Sequence, residues 1–186
     1  MKVFYNGTDI YEKVSVNYAV YETFAEKQAG ILTVRFNDPK GNWSKWNPQT
    51  GDTIAIEFDS IKTGEMFVCS IKPENGLITI RAMAMPLSIH SKATKSWEKI
   101  GFLALCQEIA GKHGLGFENY DVSDQTYDYM AQDDEEDIAF LNKLCTLEGC
   151  QMLFYDKKLI VYDEKSMESK DAVGELELDI AGVFTY

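Results

Sequence analysis

The sequence predicts a β-rich α+β protein, in which an N-terminal antiparallel β-barrel precedes a small α+β domain of two helices and a β-hairpin. Two observations carry this prediction. The first 85 residues hold about six short apolar segments separated by turn residues, a spacing typical of a barrel or small sandwich. From Thr94 the apolar spacing becomes helical, and it returns to strand-like alternation after Gly149.

Turn residues and alternation predict the N-terminal strands. Asn6-Gly7 is a strong hairpin pattern because both residues tolerate positive φ, and apolar segments 3–5 and 10–11 flank it. Residues 14–20 alternate apolar and polar side chains, as a half-buried strand requires. Further strands are predicted at residues 31–36, 53–58, 65–71 and 77–82.

The first of the two predicted helices starts at Ser96, a plausible N-cap. Apolar residues recur at roughly helical spacing from Ile100 to Ala110, and Gly114 stops the pattern. A polar segment, residues 120–130, then connects this helix to the second one.

The second predicted helix is the most informative segment of the chain. Asp134 can cap it with Asp137 three residues on, and the neighbouring acids lie near the positive end of the helix dipole. One apolar stripe follows, formed by Ile138, Leu141, Leu144 and Cys145, and Gly149 closes the segment. Such a segment is suited to packing against a partner surface rather than to catalysis.

The remaining residues predict a hairpin, a linker and a terminal strand. Strands are predicted at 151–155 and 159–162, turned by residues 156–158. Residues 165–171 have the composition of a linker, and residues 175–180 alternate as one further strand. A lone strand there has nothing of its own to close against.

Composition and charge exclude several classes of protein. Hydrophobic residues make up 45% of the 186, yet no apolar run approaches the length of a membrane span, and the N-terminus lacks the apolar run of a signal peptide. The net charge of −12 is concentrated after residue 100, and residues 113–142 hold nine acids without Lys or Arg. Nucleic-acid binding through this face is therefore unfavourable. We expect no membrane insertion.

The residues that could form a metal or catalytic site show no matching pattern. The sequence has no C-x-x-C spacing among its four cysteines, Cys69, Cys106, Cys145 and Cys150, which predicts a reduced protein. His90 and His113 also lie far apart, so neither a zinc site nor another cofactor is predicted. The acids at 133–137 resemble a glycosidase acid pair, but capping and solubility explain them better. No Ser/His/Asp or Cys/His constellation is apparent.

Trp43 and Trp46 lie together in a predicted loop with Lys40 and Lys45. Paired loop aromatics can stack on a sugar or anchor a protein interface, and they can equally pack against the rim of a barrel. Interface use and rim packing stay open as alternatives.

The helix segment also resembles a known family. Gln132, Glu135, Asp137, Phe140 and Leu141 match, position for position, the Gln-x-x-Glu-Ser-Asp-x-x-Phe-Leu signature of the late control protein D and baseplate hub proteins of contractile-tail phages, with Glu136 in place of the serine. Three other stretches follow in the family's order: Pro-x-x-Gly-Asp at 48–52, Thr-Gly at 63–64, and Ile-Ala-x-x-His-Gly-Leu at 109–115. Relatives of the family occur in R-type bacteriocins and other contractile injection systems.

This resemblance implies two barrel-like domains flanking a small α+β domain. On this pattern residues 1–88 form the first barrel, 89–164 the α+β insert, and 165–186 a linker with the first strand of a second barrel that is truncated or shortened. The resemblance further implies a homotrimer that forms a pseudo-six-fold ring and adapts the six-fold tail tube to the three-fold spike.

We therefore expect a non-enzymatic structural subunit of a virion tail baseplate or tail-like particle, made and assembled in the bacterial cytoplasm, with spike and tube proteins as partners. The first alternative is a carbohydrate-binding or adhesin-like β module that uses the two loop tryptophans. The second is a small hydrolase that uses the acid cluster.

Overall fold

The N-terminal half of the chain forms one large antiparallel sheet in the computed structural model, which describes residues 1–23 and 29–171. The strand predicted at 175–180 lies outside the described residues. The elements of this half are β1 (Lys2–Tyr5), β2 (Thr8–Asp9), β3 (Ser15–Glu22), β4 (Ile31–Asn37), α1 (Asn42–Trp46), β5 (Thr53–Phe58), β6 (Ile61–Lys62), β7 (Met66–Glu74) and β8 (Leu77–Met83). The strands are ordered β2-β1-β5-β7-β8-β4-β3, and β6 also pairs with β5.

The predicted N-terminal hairpin is confirmed. Asn6 and Gly7 have φ values of 47° and 75°, and they connect β1 to β2 as a tight turn. The segment at residues 10–11 is not a strand, however. Ile10 donates its backbone N–H to Val3 O at 2.8 Å, and a 3₁₀ turn, Tyr11–Lys13, follows before β3.

The prediction of a β-rich fold is confirmed, but the described strands do not close into a barrel. The path of paired strands ends at β3, which pairs with β4 alone, and at β2, which is two residues long. Strands β4 and β8 bury alternate side chains, among them Leu32, Val34 and Phe36. Strand β3 was predicted to be half-buried in the same way, and it is instead largely exposed on both faces because no other described strand covers it.

Up to residue 171, the second half has a two-stranded sheet, a three-stranded sheet and three helices. Its elements are a 3₁₀ turn (Leu87–His90), β9 (Lys92–Gly101), α2 (Phe102–Lys112), β10 (Gly116–Tyr120), β11 (Thr126–Glu136), α3 (Asp137–Glu148), β12 (Gln151–Tyr155), β13 (Lys158–Tyr162) and α4 (Glu164–Glu168). Strand β11 pairs antiparallel with β9, and β10 and β12 flank β13.

The start of the first predicted helix is wrong. Ser96 lies in strand β9, and α2 begins only at Phe102 after the extended residue Gly101. Asp124 takes the place of the predicted cap, because its Oδ1 accepts the backbone N–H of Leu103 at 2.9 Å. Strand β9 extends over ten residues because it pairs with β11. The sequence assigned the first part of β11 to the connecting segment at 120–130.

The start of the second predicted helix is also wrong. Helix α3 begins at Asp137, and Asp134 lies in strand β11 at a register shift between Gln132 and Glu135. Asp134 has a φ of 43°, and its backbone N–H bonds to Thr94 Oγ1 at 3.0 Å. Residues 133–136 therefore lie in a bulged strand, where pairing with the distant strand β9 outweighs the capping pattern.

The C-terminal hairpin is confirmed as β12 and β13, with Asp156 and Lys157 in the turn. The predicted linker at 165–171 includes most of the short helix α4, whose N-cap Asp163 accepts the backbone N–H of Ser166 at 2.7 Å. Among the described helices, none has the length and apolar character needed to cross a lipid bilayer.

Candidate functional site

Two of the residues singled out in the sequence, Gln132 and Asp137, meet at the buried Asp137 carboxylate, which is 1% exposed. Its Oδ2 accepts hydrogen bonds from Lys112 Nζ at 2.6 Å and His113 Nε2 at 2.7 Å, and its Oδ1 accepts one from Gln132 Nε2 at 2.8 Å. The Gln132 amide also donates to Glu135 O at 2.9 Å, across the bulge of β11. The start of α3, the end of α2 and strand β11 therefore meet at one charge.

His113 extends this cluster to Ser88, just after the N-terminal sheet. Its second ring nitrogen, Nδ1, lies 2.9 Å from Oγ of Ser88, in the 3₁₀ turn that follows β8. Ser88, His113 and Asp137 thus form a hydrogen-bonded chain that the sequence analysis missed, because 25 and 24 residues separate the successive members. No local motif links them, and only the fold brings them together.

The chemistry of this chain of hydrogen bonds favours a structural role. The Asp137 carboxylate is shared with Lys112 and Gln132, so its charge is already offset without His113. Burial acts to raise the pKa of Asp137, but hydrogen bonds from Lys112, Gln132 and His113 outweigh burial and hold the pKa below its usual range. A carboxylate stabilised in this way stays charged and fixes the positions of its donors.

The other signature residues lie in the surrounding core or at its edge. Phe140 stacks on Trp97 with 5.6 Å between ring centroids, and Leu141 is fully buried. Gly149 has a φ of 69° at the end of α3, a conformation that glycine adopts without strain. Glu135 of β11 forms an ion pair with Lys143 of α3 at 2.6 Å.

The two halves are in contact at the tip of the β12–β13 hairpin. Asp156 Oδ1 accepts the backbone N–H of Glu65 at 2.9 Å, and Tyr155 Oη donates to Lys62 O at 3.3 Å. Gly64 has a φ of 67° and lies so close to Asp156 that an added Cβ would be 2.9 Å from the Asp156 Cβ. The absence of a side chain at Gly64 therefore allows the hairpin tip to approach the N-terminal sheet.

The open side of the N-terminal sheet forms an apolar groove of about 720 Å³ between β3 and the β5–β6 hairpin. Large apolar side chains on its rims are exposed to solvent, among them Phe58 at 58% and Ile61 at 56%. Tyr11 and Tyr18 line the same groove and are also exposed. Among the described strands, β3 pairs only with β4, so the groove lies beside a strand edge that has no described partner.

The two loop tryptophans lie in α1 and differ in exposure. Trp43 is 1% exposed and packs against Tyr5 and Phe36, with ring centroids 5.3 Å and 4.7 Å away. Its Nε1 is the one buried side-chain polar atom without a hydrogen-bond partner in the described part of the chain. Trp46 packs edge-on against Trp43 and is itself exposed. Of the pair, Trp46 is the side chain that a ligand or partner can reach.

The acidic segment does not form a joint site. Asp134 is exposed and pairs with Lys92 at 2.9 Å, whereas Asp137 is buried within its own cluster. Glu136 bonds to His90 Nδ1 at 2.8 Å. Within residues 1–23 and 29–171, no group of three His, Cys, Asp or Glu side chains is arranged to hold a metal ion.

No protein-family model matches this chain, and no curated protein does either. Solved structures do match. The 43 kDa tail protein of prophage MuSo2 from Shewanella oneidensis is 11% identical with a TM-score of 0.61, over 86% of this chain and 53% of that protein. A tail protein from Neisseria meningitidis MC58 is 10% identical with a TM-score of 0.62, over 86% and 49%.

A third match is the E. coli c3393 protein, described as a component of the type VI secretion system with structural similarity to the T4 tail proteins gp27 and gp5. It is 12% identical with a TM-score of 0.61, over 89% of this chain and 50% of that protein. The chain spans about half the length of each of these three proteins. Over that half, it shares the fold of phage-tail and type VI secretion tail proteins.

Proposed function

We propose that this protein is a non-enzymatic structural subunit of a contractile phage tail or a related tail-like particle. The observation that carries the proposal is the apolar groove beside β3, one edge of which has no partner within residues 1–23 and 29–171. An exposed edge strand favours pairing with another chain, and apolar surface of this kind marks interaction sites. The fold shared with three tail proteins and the structural use of the signature residues support it.

Within such a particle, we infer the position of a baseplate hub. Three copies form a ring that adapts the six-fold tail tube to the three-fold spike, with tube and spike subunits as partners. The matches to the hub signature, at Gln132, Asp137, Phe140 and Leu141, support this finer assignment, and they lie in the core that holds α3 against β9 and β11.

The proposed mechanism is geometric. A strand from a neighbouring copy pairs with the free edge of β3, and its apolar side chains cover Tyr18, Phe58 and Ile61. Full burial of a large apolar side chain contributes about 1.5–3 kcal/mol, and these side chains, which are about half exposed, contribute roughly half of that to association. Such head-to-tail contacts form a closed ring when the last copy also contacts the first. In a closed ring, every copy has its β3 edge paired.

Native mass spectrometry over a concentration series tests the proposal, with this chain alone and then mixed with candidate tube and spike subunits. We expect a trimer, or three copies per spike trimer, and weakening by at least about tenfold for the variant Phe58→Ser/Ile61→Ser. Leu147→Ser is the matched control, since Leu147 is 66% exposed on α3 and outside the groove.

The control variant should assemble as the unchanged protein does. A chain that stays monomeric and binds neither partner would overturn the proposal. If the groove variant assembles as well as the unchanged protein, the interface lies elsewhere on the molecule.

One observation favours a second function. Trp46 presents an exposed indole supported from behind by Trp43, an arrangement that suits stacking on a sugar ring. A glycan array compares the unchanged protein with Trp46→Ala and with the control Tyr129→Ala, another exposed aromatic residue. Binding that only Trp46→Ala abolishes would establish a carbohydrate-binding module, and absence of binding would exclude it.

A further inference from the structure

Helix α3 ends in a motif that places two cysteines together. Cys150 donates its backbone N–H to Cys145 O at 3.0 Å, and Gly149 donates to Thr146 O at 3.3 Å. With Gly149 at a φ of 69°, these two bonds define a Schellman motif. In this motif the two residues joined by the bond that spans five positions commonly have side chains in contact. Here these residues are Cys145 and Cys150.

The two thiols are reduced and largely buried. Cys145 is 5% exposed and Cys150 is 6% exposed. A hydrogen bond from the Cys145 thiol lowers the pKa of Cys150, against the effect of burial, and the same bond raises the pKa of Cys145. Of the two thiols, Cys150 is therefore the one that ionises first.

We propose that Cys145 and Cys150 form an oxidation site, where a peroxide converts the two thiols into an intramolecular disulfide that links the end of α3 to the start of β12. The 3.0 Å backbone hydrogen bond from Cys150 to Cys145 keeps the two residues close in space, which favours closure of the bond. This inference does not depend on the proposed role in a tail.

The oxidation proceeds in two steps. The Cys150 thiolate attacks one oxygen of hydrogen peroxide, the O–O bond breaks, and the leaving hydroxide takes up a proton to give water and a sulfenic acid. The Cys145 sulfur then attacks the sulfenic sulfur, the S–O bond breaks, and the leaving hydroxide takes the Cys145 proton as a second water. Two thiols lose two electrons and two protons, and the peroxide is reduced to two waters.

The chain offers two matched controls. Cys106 of α2 is also fully buried near this pair, but no backbone turn joins it to either residue. Cys69 lies in β7, where its thiol donates to Arg81 O at 3.3 Å. Cys106→Ser and Cys69→Ser should leave the reaction unchanged, whereas Cys145→Ser and Cys150→Ser should abolish it.

The test treats the folded chain with hydrogen peroxide, blocks remaining thiols with iodoacetamide, and analyses tryptic peptides by mass spectrometry. Lys143 and Lys157 bound one peptide that contains both residues. We expect this peptide to lose two hydrogens and take up no alkyl group, and dithiothreitol to reverse the change. Two alkyl groups on the peptide after oxidation, or a sulfinic acid in place of the disulfide, would overturn the proposal.

Thermal melting shows whether the bond fits the native fold. A disulfide compatible with the turn constrains the unfolded chain, and we expect the oxidised protein to melt about 3 °C higher than the reduced one. The Cys145→Ser variant should show no such rise after the same treatment. A lower melting temperature of the disulfide form would mean that the bond distorts the turn, which contradicts the proposal.

Discussion

The two halves of this molecule differ in whether the groups that need a partner find one within the same half. In the second half, the charge of Asp137 is buried and matched by Lys112, His113 and Gln132. In the first half, β3 has one edge without a partner among the described strands, and Phe58 and Ile61 are exposed beside it. Within the described residues, the second half therefore satisfies its buried charge internally, whereas the first half exposes apolar side chains beside an edge strand.

The largest expected effect comes from the core under α3. Leu141→Asp places a charge in a fully buried position, and we expect it to cost more than about 4 kcal/mol and unfold the second half. Leu147→Asp on the same helix is the control, because Leu147 is 66% exposed. Circular dichroism melts measure both, and a soluble Leu141→Asp variant with unchanged melting would refute the expectation.

The second-largest loss of stability should follow removal of the buried charge of Asp137. Asp137→Ala leaves the buried donors of His113 and Gln132 without their acceptor, which should cost about 2–4 kcal/mol. The ammonium of Lys112 adds little to this loss, because its side chain is 46% exposed. Urea unfolding measures the change. Asp134→Ala removes an exposed pair with Lys92 and should cost about 1 kcal/mol or less. Equal losses for the two variants would mean that the cluster is not a stability centre.

The contact between the halves is tested at Gly64. Gly64→Ala forces alanine into a positive φ and brings its Cβ against the backbone of Asp156, so we expect a loss of about 2–3 kcal/mol. Gly7→Ala is the control, since Gly7 also has positive φ but nothing lies within 4 Å of an added Cβ. The difference between their urea midpoints isolates the contact, and no difference would show that the hairpin tip is free to move away.

Acid should weaken the second half through Asp137. Its folded pKa is lowered, so its contribution is fully present above the ordinary aspartate pKa of about 3.9 and is lost as the pH falls through the folded value. The variant Asp137→Asn lacks this titration. We expect the stability gap between the two proteins, measured by urea unfolding, to be wide at pH 7 and to narrow at about pH 3. A constant gap would contradict the assignment.

The smallest effect on folding should come from the groove. Phe58→Ser removes an exposed side chain, and we expect the free energy of unfolding of the isolated chain to change by less than about 0.5 kcal/mol. Chemical unfolding at low protein concentration measures it. A loss comparable to that of Asp137→Ala would show that Phe58 supports the fold itself, and the contrast between the halves would disappear.

Local patterns predicted the elements whose partners are close in sequence. The Asn6-Gly7 turn and the β12–β13 hairpin form as expected, and the alternation of Leu32, Val34 and Phe36 places these side chains in the core. Each depends on a turn type or on one strand's own period, which a short stretch of sequence encodes.

The errors arose where a distant segment decided the conformation. Ser96 and Asp134 both have capping patterns, yet both lie in strands, because β9 and β11 pair with each other along nearly their whole length. Among the candidate site residues, the sequence placed Leu141 on the apolar stripe, where the structure buries it. It did not indicate that Asp137 is buried or that Trp43 and Trp46 differ in exposure, since neighbouring elements determine both.

The sequence by itself determined the β-rich class, the tight turns, the end of α3 at Gly149 and the signature positions, because each follows from local backbone preference or spacing. The tertiary structure alone decided that β3 stays at an open edge and that Ser88, His113 and Asp137 meet. These outcomes depend on strand pairing and burial between segments far apart in the chain. The free energy of such contacts belongs to the pair of segments, and neither segment encodes it alone.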